Sequence, residues 1–210
     1  MNFYVESTGD YEICPSGMHL ARCYRLIDLG TQKSEYLGQV KFLPKLMLGW
    51  EIHGSDENGD PIKMQDGRPF GIFKNYTRSW TEKSNLRKDL QSWRGRAFSQ
   101  EELRRFNLPN ILGAWCMLNV IHREGKNGGT YANVQSVTPV PSVMKGNLPA
   151  EVNKVEFFSL DNPDMDLFEK FSDVLKAKIS ASPQWQKRQN PNASERVPGS
   201  DDDIGDDIPF

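Results

Sequence analysis

Ser84-Asn-Leu-Arg-Lys-Asp-Leu-Gln-Ser-Trp-Arg-Gly95 is the stretch on which the fold turns. Leu86, Leu90 and Trp93 fall at i, i+4 and i+7, so they share one helical face. Ser84 or Thr81 supplies a capping oxygen, and Gly95 stops the run. Ser99-Gln-Glu-Glu-Leu-Arg-Arg-Phe106 reads as a second short helix, with a capping box from Ser99 to Glu102. Pro109 and Gly113 frame its exit. These helices interrupt a chain that otherwise reads as strands.

Upstream, residues 1–17 are irregular, with Gly9, Asp10, Pro15 and Gly17. Residues 18–29 alternate in part and predict a first strand, long enough to bend and serve two sheets. Residues 30–35 read as a turn, and 36–41 extend a hairpin. Leu46 to His53 is the second strand, where Gly49 marks a bulge or a close approach. Residues 54–61 form a polar loop whose acids lack the ladder of a calcium site. A third strand covers roughly 70–78.

Downstream, Ala114 to His122 is a strand, 123–129 a glycine-rich loop, and Thr130 to Val137 alternates cleanly as the returning arm of a hairpin. The loop lacks Gly-Lys-Ser/Thr and precedes a strand, so it is no phosphate cradle. The chain is therefore mostly β. Five strands with helices inserted between the third and fourth predict an oligonucleotide-binding (OB-fold) barrel over residues 1–150. An SH3-like barrel or a sandwich also accommodates five strands, but the inserted helix argues against both.

Residues 137–149 hold three prolines and read as a linker. Residues 151–181 are expected to pack on the barrel as a short strand near 155–160 and one amphipathic helix over 164–179. That helix would present Leu167, Phe168, Phe171, Leu175 and Ile179 on one face. From 182 to 210 the polar composition predicts a disordered linker and acidic tail.

Net charge is −2, but its distribution is uneven. Through Arg196 there are 26 cations against 23 acids; the other five acids lie in 201–207. The body is thus mildly basic, which suits a polyanionic partner. No run of apolar residues is long enough to span a membrane, and the first residues lack the pattern of a signal peptide. Three cysteines, Cys14, Cys23 and Cys116, cannot all pair, which points to free thiols and a cytoplasmic location.

The tail, Ser200-Asp-Asp-Asp-Ile-Gly-Asp-Asp-Ile-Pro-Phe210, cannot pack on itself. Asp201, Asp202, Asp203, Asp206 and Asp207 repel one another, and Pro209 blocks a helix. Ile208 and Phe210 form an apolar plug on an acidic string, which suits a pocket rimmed by Arg or Lys in a partner. This run resembles the acidic C-terminal tip of bacterial single-stranded DNA-binding proteins, which ends in Ile-Pro-Phe. That resemblance implies docking of replication, recombination and repair proteins. In a weaker sense, residues 86–98 and the following glycine-rich hairpin resemble phage-type single-stranded DNA-binding proteins. The location would then be the cytoplasm of a bacterial host.

Unpaired DNA offers bases to stack on and phosphates to neutralise, so a binder interleaves aromatic residues with cations. Residues 70–98, with Arg68 just before them, are richest in that mixture. Phe70, Tyr76, Arg78 and Trp80 share one strand parity and form the candidate groove, with Tyr76 and Trp80 stacking bases and Arg78 meeting phosphate. Arg68 and Lys74 add charge, and Lys126 in the 123–129 loop with Tyr131 at its base form a second candidate set. Phe73 and Trp93 read as core; Trp50 can face either way. On this reading the acidic tail competes with DNA for the groove, and removing 201–210 raises affinity at low salt.

Catalysis has little support. Cys14, His19 and Cys23 lack a fourth ligand and the spacing of a zinc site. Asp161, Asp164 and Asp166 suit the start of a helix. No cofactor is implied and the oligomeric state stays open. The rivals are a protein-interaction adaptor that does not bind DNA, and a phage recombination nuclease or annealing protein.

Overall fold

The structure, a computed structural model, describes residues 12–36, 38–56, 58–125 and 128–190. Its elements run β1 (Gly17–Tyr36), β2 (Gln39–His53), β3 (Gly71–Thr77), α1 (Asn85–Arg94), α2 (Gln100–Arg105), β4 (Trp115–Glu124), β5 (Thr130–Thr138), β6 (Glu156–Phe158), α3 (Met165–Glu169), α4 (Asp173–Ser180) and α5 (Pro183–Gln189). Short 3-10 turns cover Leu108–Ile111 and Ser142–Met144.

The described strands form one mostly antiparallel sheet, ordered β3-β2-β1-β4-β5, with β6 paired parallel to β1. The five expected strands are joined by β6, the short strand expected near 155–160. The end strands β3 and β5 share no hydrogen-bonded ladder among the described residues, so the sheet is not closed.

Strand parity builds two cores. Leu46, Leu48, Trp50 and Ile52 point to one face of β2 and meet Ala21, Cys23 and Leu26 of β1. Helix α1 closes this core with Leu86, Leu90 and Trp93. Ser84 caps it by accepting from Arg87 N, and Gly95 ends it at φ 74°. The capping box at Ser99 and Glu102 also forms. On the opposite face, Ile27, Leu29 and Met47 pack against Phe158, Phe168, Phe171, Ile179 and Trp185. Both faces of β2 are therefore covered, and 46–52 is buried without a break.

Three expectations about the chain's course need correction. Residues 30–35 are strand: β1 runs to Tyr36, which pairs with Gln39. Gly30 marks a register shift after Asp28, and a Cβ there would lie 2.5 Å from Ser182 Cβ. The glycine serves close packing against the start of α5, and the polar residues after it belong to a projecting hairpin arm. The single helix over 164–179 is two, because Ser172 is extended (φ −62°, ψ 153°) and caps α4 by accepting from Leu175 N. The expected disorder from 182 does not hold through 189. Ser182 caps α5, Pro183 occupies its first turn, and Trp185 is buried, stacked on Phe168 with ring centroids 4.5 Å apart.

A polar strap ties the C-terminal segment to the sheet. Arg22 and Glu51, both buried, meet at 3.1 Å. Arg22 also donates to Asn153 O at 3.0 Å and pairs with Glu151 at 2.6 Å. Glu51 accepts from Asn153 N at 2.6 Å, Asn153 Nδ2 at 2.7 Å and Val152 N at 3.3 Å. The buried charges are thus paired and hydrogen-bonded, as burial requires.

Candidate nucleic-acid interface

The parity of β3 decides which side chains face outward. Ile72 and Tyr76 turn inward, and Phe70 just before the strand is buried with them. Tyr76 is only 3% exposed and donates from its hydroxyl to Asp89 Oδ2 at 2.7 Å. Burial, then the Asp89 charge, holds its phenol well above the usual tyrosine range. Neither Phe70 nor Tyr76 can stack on a base from there, which corrects the groove assigned to that parity. Trp80 is half-buried and packs edge-on against Phe98 and Phe106, at 5.8 and 5.4 Å.

The cations of that set are engaged locally. Lys74 meets the same Asp89 oxygen at 2.7 Å. Arg68, exposed, pairs with Asp66 at 2.6 Å, and Arg78, also exposed, reaches Asp28 at 3.3 Å. Exposed pairs of this kind exchange readily with solvent and ligand. Lys126 and the tail residues from Asp201 to Phe210 lie outside the described residues.

Phe73, read from sequence as core, is 43% exposed on the outer face. It lies over Gly49, where a Cβ would come within 2.7 Å of its ring, so the close approach expected at Gly49 is real. Tyr24 meets it edge-on at 6.4 Å. The Arg25 guanidinium lies 5.3 Å from the Tyr24 ring, 5.5 Å from Phe73 and 5.9 Å from Phe171, and Arg25 Nε donates to Glu156. The result is an exposed ring on a fixed bed of aromatic and cationic groups.

Tyr131, at the start of β5, is 45% exposed. It and Phe73 line one cleft of about 300 Å³ with Ile13, Phe70, Gly71 and Thr130. The cleft lies between β3 and β5, which form no ladder with each other among the described residues. Exposed Arg123 stands opposite Tyr131 in the β4–β5 ladder. Tyr24, Arg25, Arg123 and the role of Phe73 escaped the sequence reading. Ile72 was the available signal: with Phe70 and Tyr76 it makes that parity the more apolar one, which belongs inside.

A second cavity, about 560 Å³, lies behind α1. Trp93, Phe98, Phe106 and Trp115 line it, with Arg94 and Lys145. Trp93 donates from its indole to Trp115 O at 2.8 Å, in keeping with its place in the core.

The cysteines are buried and free, and burial pushes the Cys14 and Cys23 thiols up to about 12. Among the described residues no cluster of His, Cys, Asp or Glu is arranged to hold a metal. Asp164 caps α3 by accepting from Leu167 N at 3.0 Å. Among the described residues no helix is long and apolar enough to cross a membrane. No protein-family model matches this chain, and no curated protein is similar to it in sequence beyond chance.

Proposed function

We propose that this protein binds single-stranded DNA without strong sequence preference, as a binding protein rather than a catalyst. The observation that carries the reading is the pair of exposed rings, Phe73 and Tyr131, on one cleft. Each supplies a face on which a base can stack, and every base has such a face. Arg25 and Arg123 stand beside them to meet phosphates. The strand order supports the reading too: β3-β2-β1-β4-β5 is the order expected of an oligonucleotide-binding barrel opened between β3 and β5, and the cleft lies between those two strands. The acidic tail, ending in Ile208, Pro209 and Phe210, then recruits replication, recombination or repair proteins to the bound strand in a bacterial or phage-infected cytoplasm.

The test is fluorescence anisotropy with labelled oligo-dT at two salt concentrations, beside a duplex of equal length. The single strand is expected to bind tightly and salt-dependently, and the duplex weakly. Phe73→Ala and Tyr131→Ala are each expected to lower affinity by about 1–3 kcal/mol without changing the melting temperature appreciably. Equal affinity for both forms, or none for either, would overturn the proposal. A second reading, an adaptor that binds protein, is favoured by the apolar cavity behind α1 with its two cations. It predicts no oligo-dT binding and capture of an acidic peptide with an apolar end.

A further inference from the structure

The outer face of β2 continues past Gly49 through Met47 to Lys45, because alternate residues share a face. Phe73 lies opposite Gly49, and Thr77 opposite Lys45. These two points are four residues apart along the sheet, roughly 13 Å. Lys45 Nζ donates to Thr77 Oγ1 at 2.7 Å and keeps its other N–H groups for a ligand.

Helix α4 brings a second lysine to this point. Gln32 of β1 donates from one amide nitrogen to Lys178 O at 2.9 Å and to Leu29 O at 2.6 Å. Gln32 pairs with Leu43, two residues from Lys45 on the same strand face. The last turn of α4 is thereby fastened beside Lys45. Burial, and then the charge of Lys178, hold the Lys45 ammonium below the ordinary lysine value. Among the described residues no carboxylate forms an ion pair with either lysine. The two like charges repel, and an anion between them would reverse that cost. At the other end of the same face, Phe171, between α3 and α4, touches the Arg25 that flanks Phe73. The C-terminal helices therefore border the outer face at both points.

We propose that Lys45 and Lys178 together seat a backbone phosphate of the bound strand, so that α4 is a wall of the groove as well as a cover for the sheet. This rests on the single-strand reading above and adds to it a direction: the strand runs from the Phe73 ring along the outer face of β3, past the exposed Asn75, towards Thr77, beside the layer that covers Met47. The hydroxyl of Thr77, already accepting from Lys45, is free to donate to the same phosphate.

The experiment is oligo-dT binding by the full chain over a salt series, for wild type, Lys178→Ala, Lys178→Glu and Lys45→Met. Lys178→Ala is expected to weaken binding about fivefold at low salt and to flatten the slope of log K against log salt by about 0.7. Lys178→Glu is expected to weaken it further, and Lys45→Met to match Lys178→Ala. Thermal melting verifies that each variant folds; Lys178 lies in the last turn of α4 and its replacement leaves the cores intact. Wild-type binding with affinity and slope unchanged in both Lys178 variants would overturn the seat and leave the single-strand reading standing. Absence of any wild-type binding would overturn both.

Discussion

Arg22→Ala is expected to destabilise the protein by about 3–5 kcal/mol, because it leaves a buried carboxylate without its cation. Glu51 would keep its donors from Asn153 and Val152 but lose the guanidinium at 3.1 Å. Glu151 and the carbonyl of Asn153 would lose theirs as well. The strap over 151–153 would loosen from the sheet. Urea denaturation measures the loss, and a change under 1 kcal/mol would show that water replaces the guanidinium at little cost. Glu51 also gives this contact a pH dependence. Burial raises its carboxyl pKa, but the N–H donors of Asn153 and Val152 and the His53 imidazole outweigh burial and leave it below the ordinary value. A carboxylate with a depressed folded-state pKa contributes stability above its unfolded pKa and loses it as pH falls through the folded one. Stability is therefore expected to fall on the acid side of the ordinary glutamate range, and Glu51→Gln to flatten that fall.

Phe158→Ala is expected to cost about 3–5 kcal/mol by opening a cavity at the centre of the second core. Phe158 is fully buried and meets Phe168, Phe171 and Trp185 at 5.8, 5.3 and 6.3 Å. It is also the one fully buried residue of β6. Its loss would release α3, α4 and α5 from Ile27, Leu29 and Met47 while leaving the α1-side core complete. Hydrogen exchange should show early loss of protection over 156–189, with β2 and β4 amides still slow. Uniform loss across the chain would mean that the two cores unfold as one unit.

What the sequence makes legible follows the strength of local signals. Helix α1 carries three independent marks, a cap, an apolar stripe and a terminal glycine, and all appear as expected. The β4–β5 hairpin is equally plain, but its alternation is not unbroken: Val134 and Val137 differ by an odd number of positions, and both are buried because a register shift falls between the Asn119–Ser136 and Val120–Val134 pairs. The break at Ser172 was harder: Phe171, Leu175 and Ile179 keep helical spacing across it, because both helices pack on the same apolar face. Trp185 sits in a polar segment with a single large apolar residue, too little for a periodic signal, although Ser182-Pro183 is a good helix start. At the site, the aromatic content of 70–80 was visible but its orientation was not. Tyr76 and Phe73 differ by an odd number of positions, so one error in parity exchanges every inward ring for an outward one. Whether β3 and β5 join is a question of long-range pairing, which no short stretch of sequence encodes.

The two cores also divide the protein's tryptophans. Of the five, Trp50 and Trp93 lie in the first core, Trp80 packs against it and Trp115 lines the cavity behind α1, whereas Trp185 belongs to the second. The indole of Trp185 is buried 4.5 Å from Phe168 and far in sequence from the others. A variant retaining Trp185 alone would carry an optical reporter confined to the C-terminal layer. Its emission would shift to longer wavelength when that layer peels from the sheet, whatever the state of the core beneath. The molecule thus has a built-in way to tell loosening of its C-terminal layer from unfolding of its body.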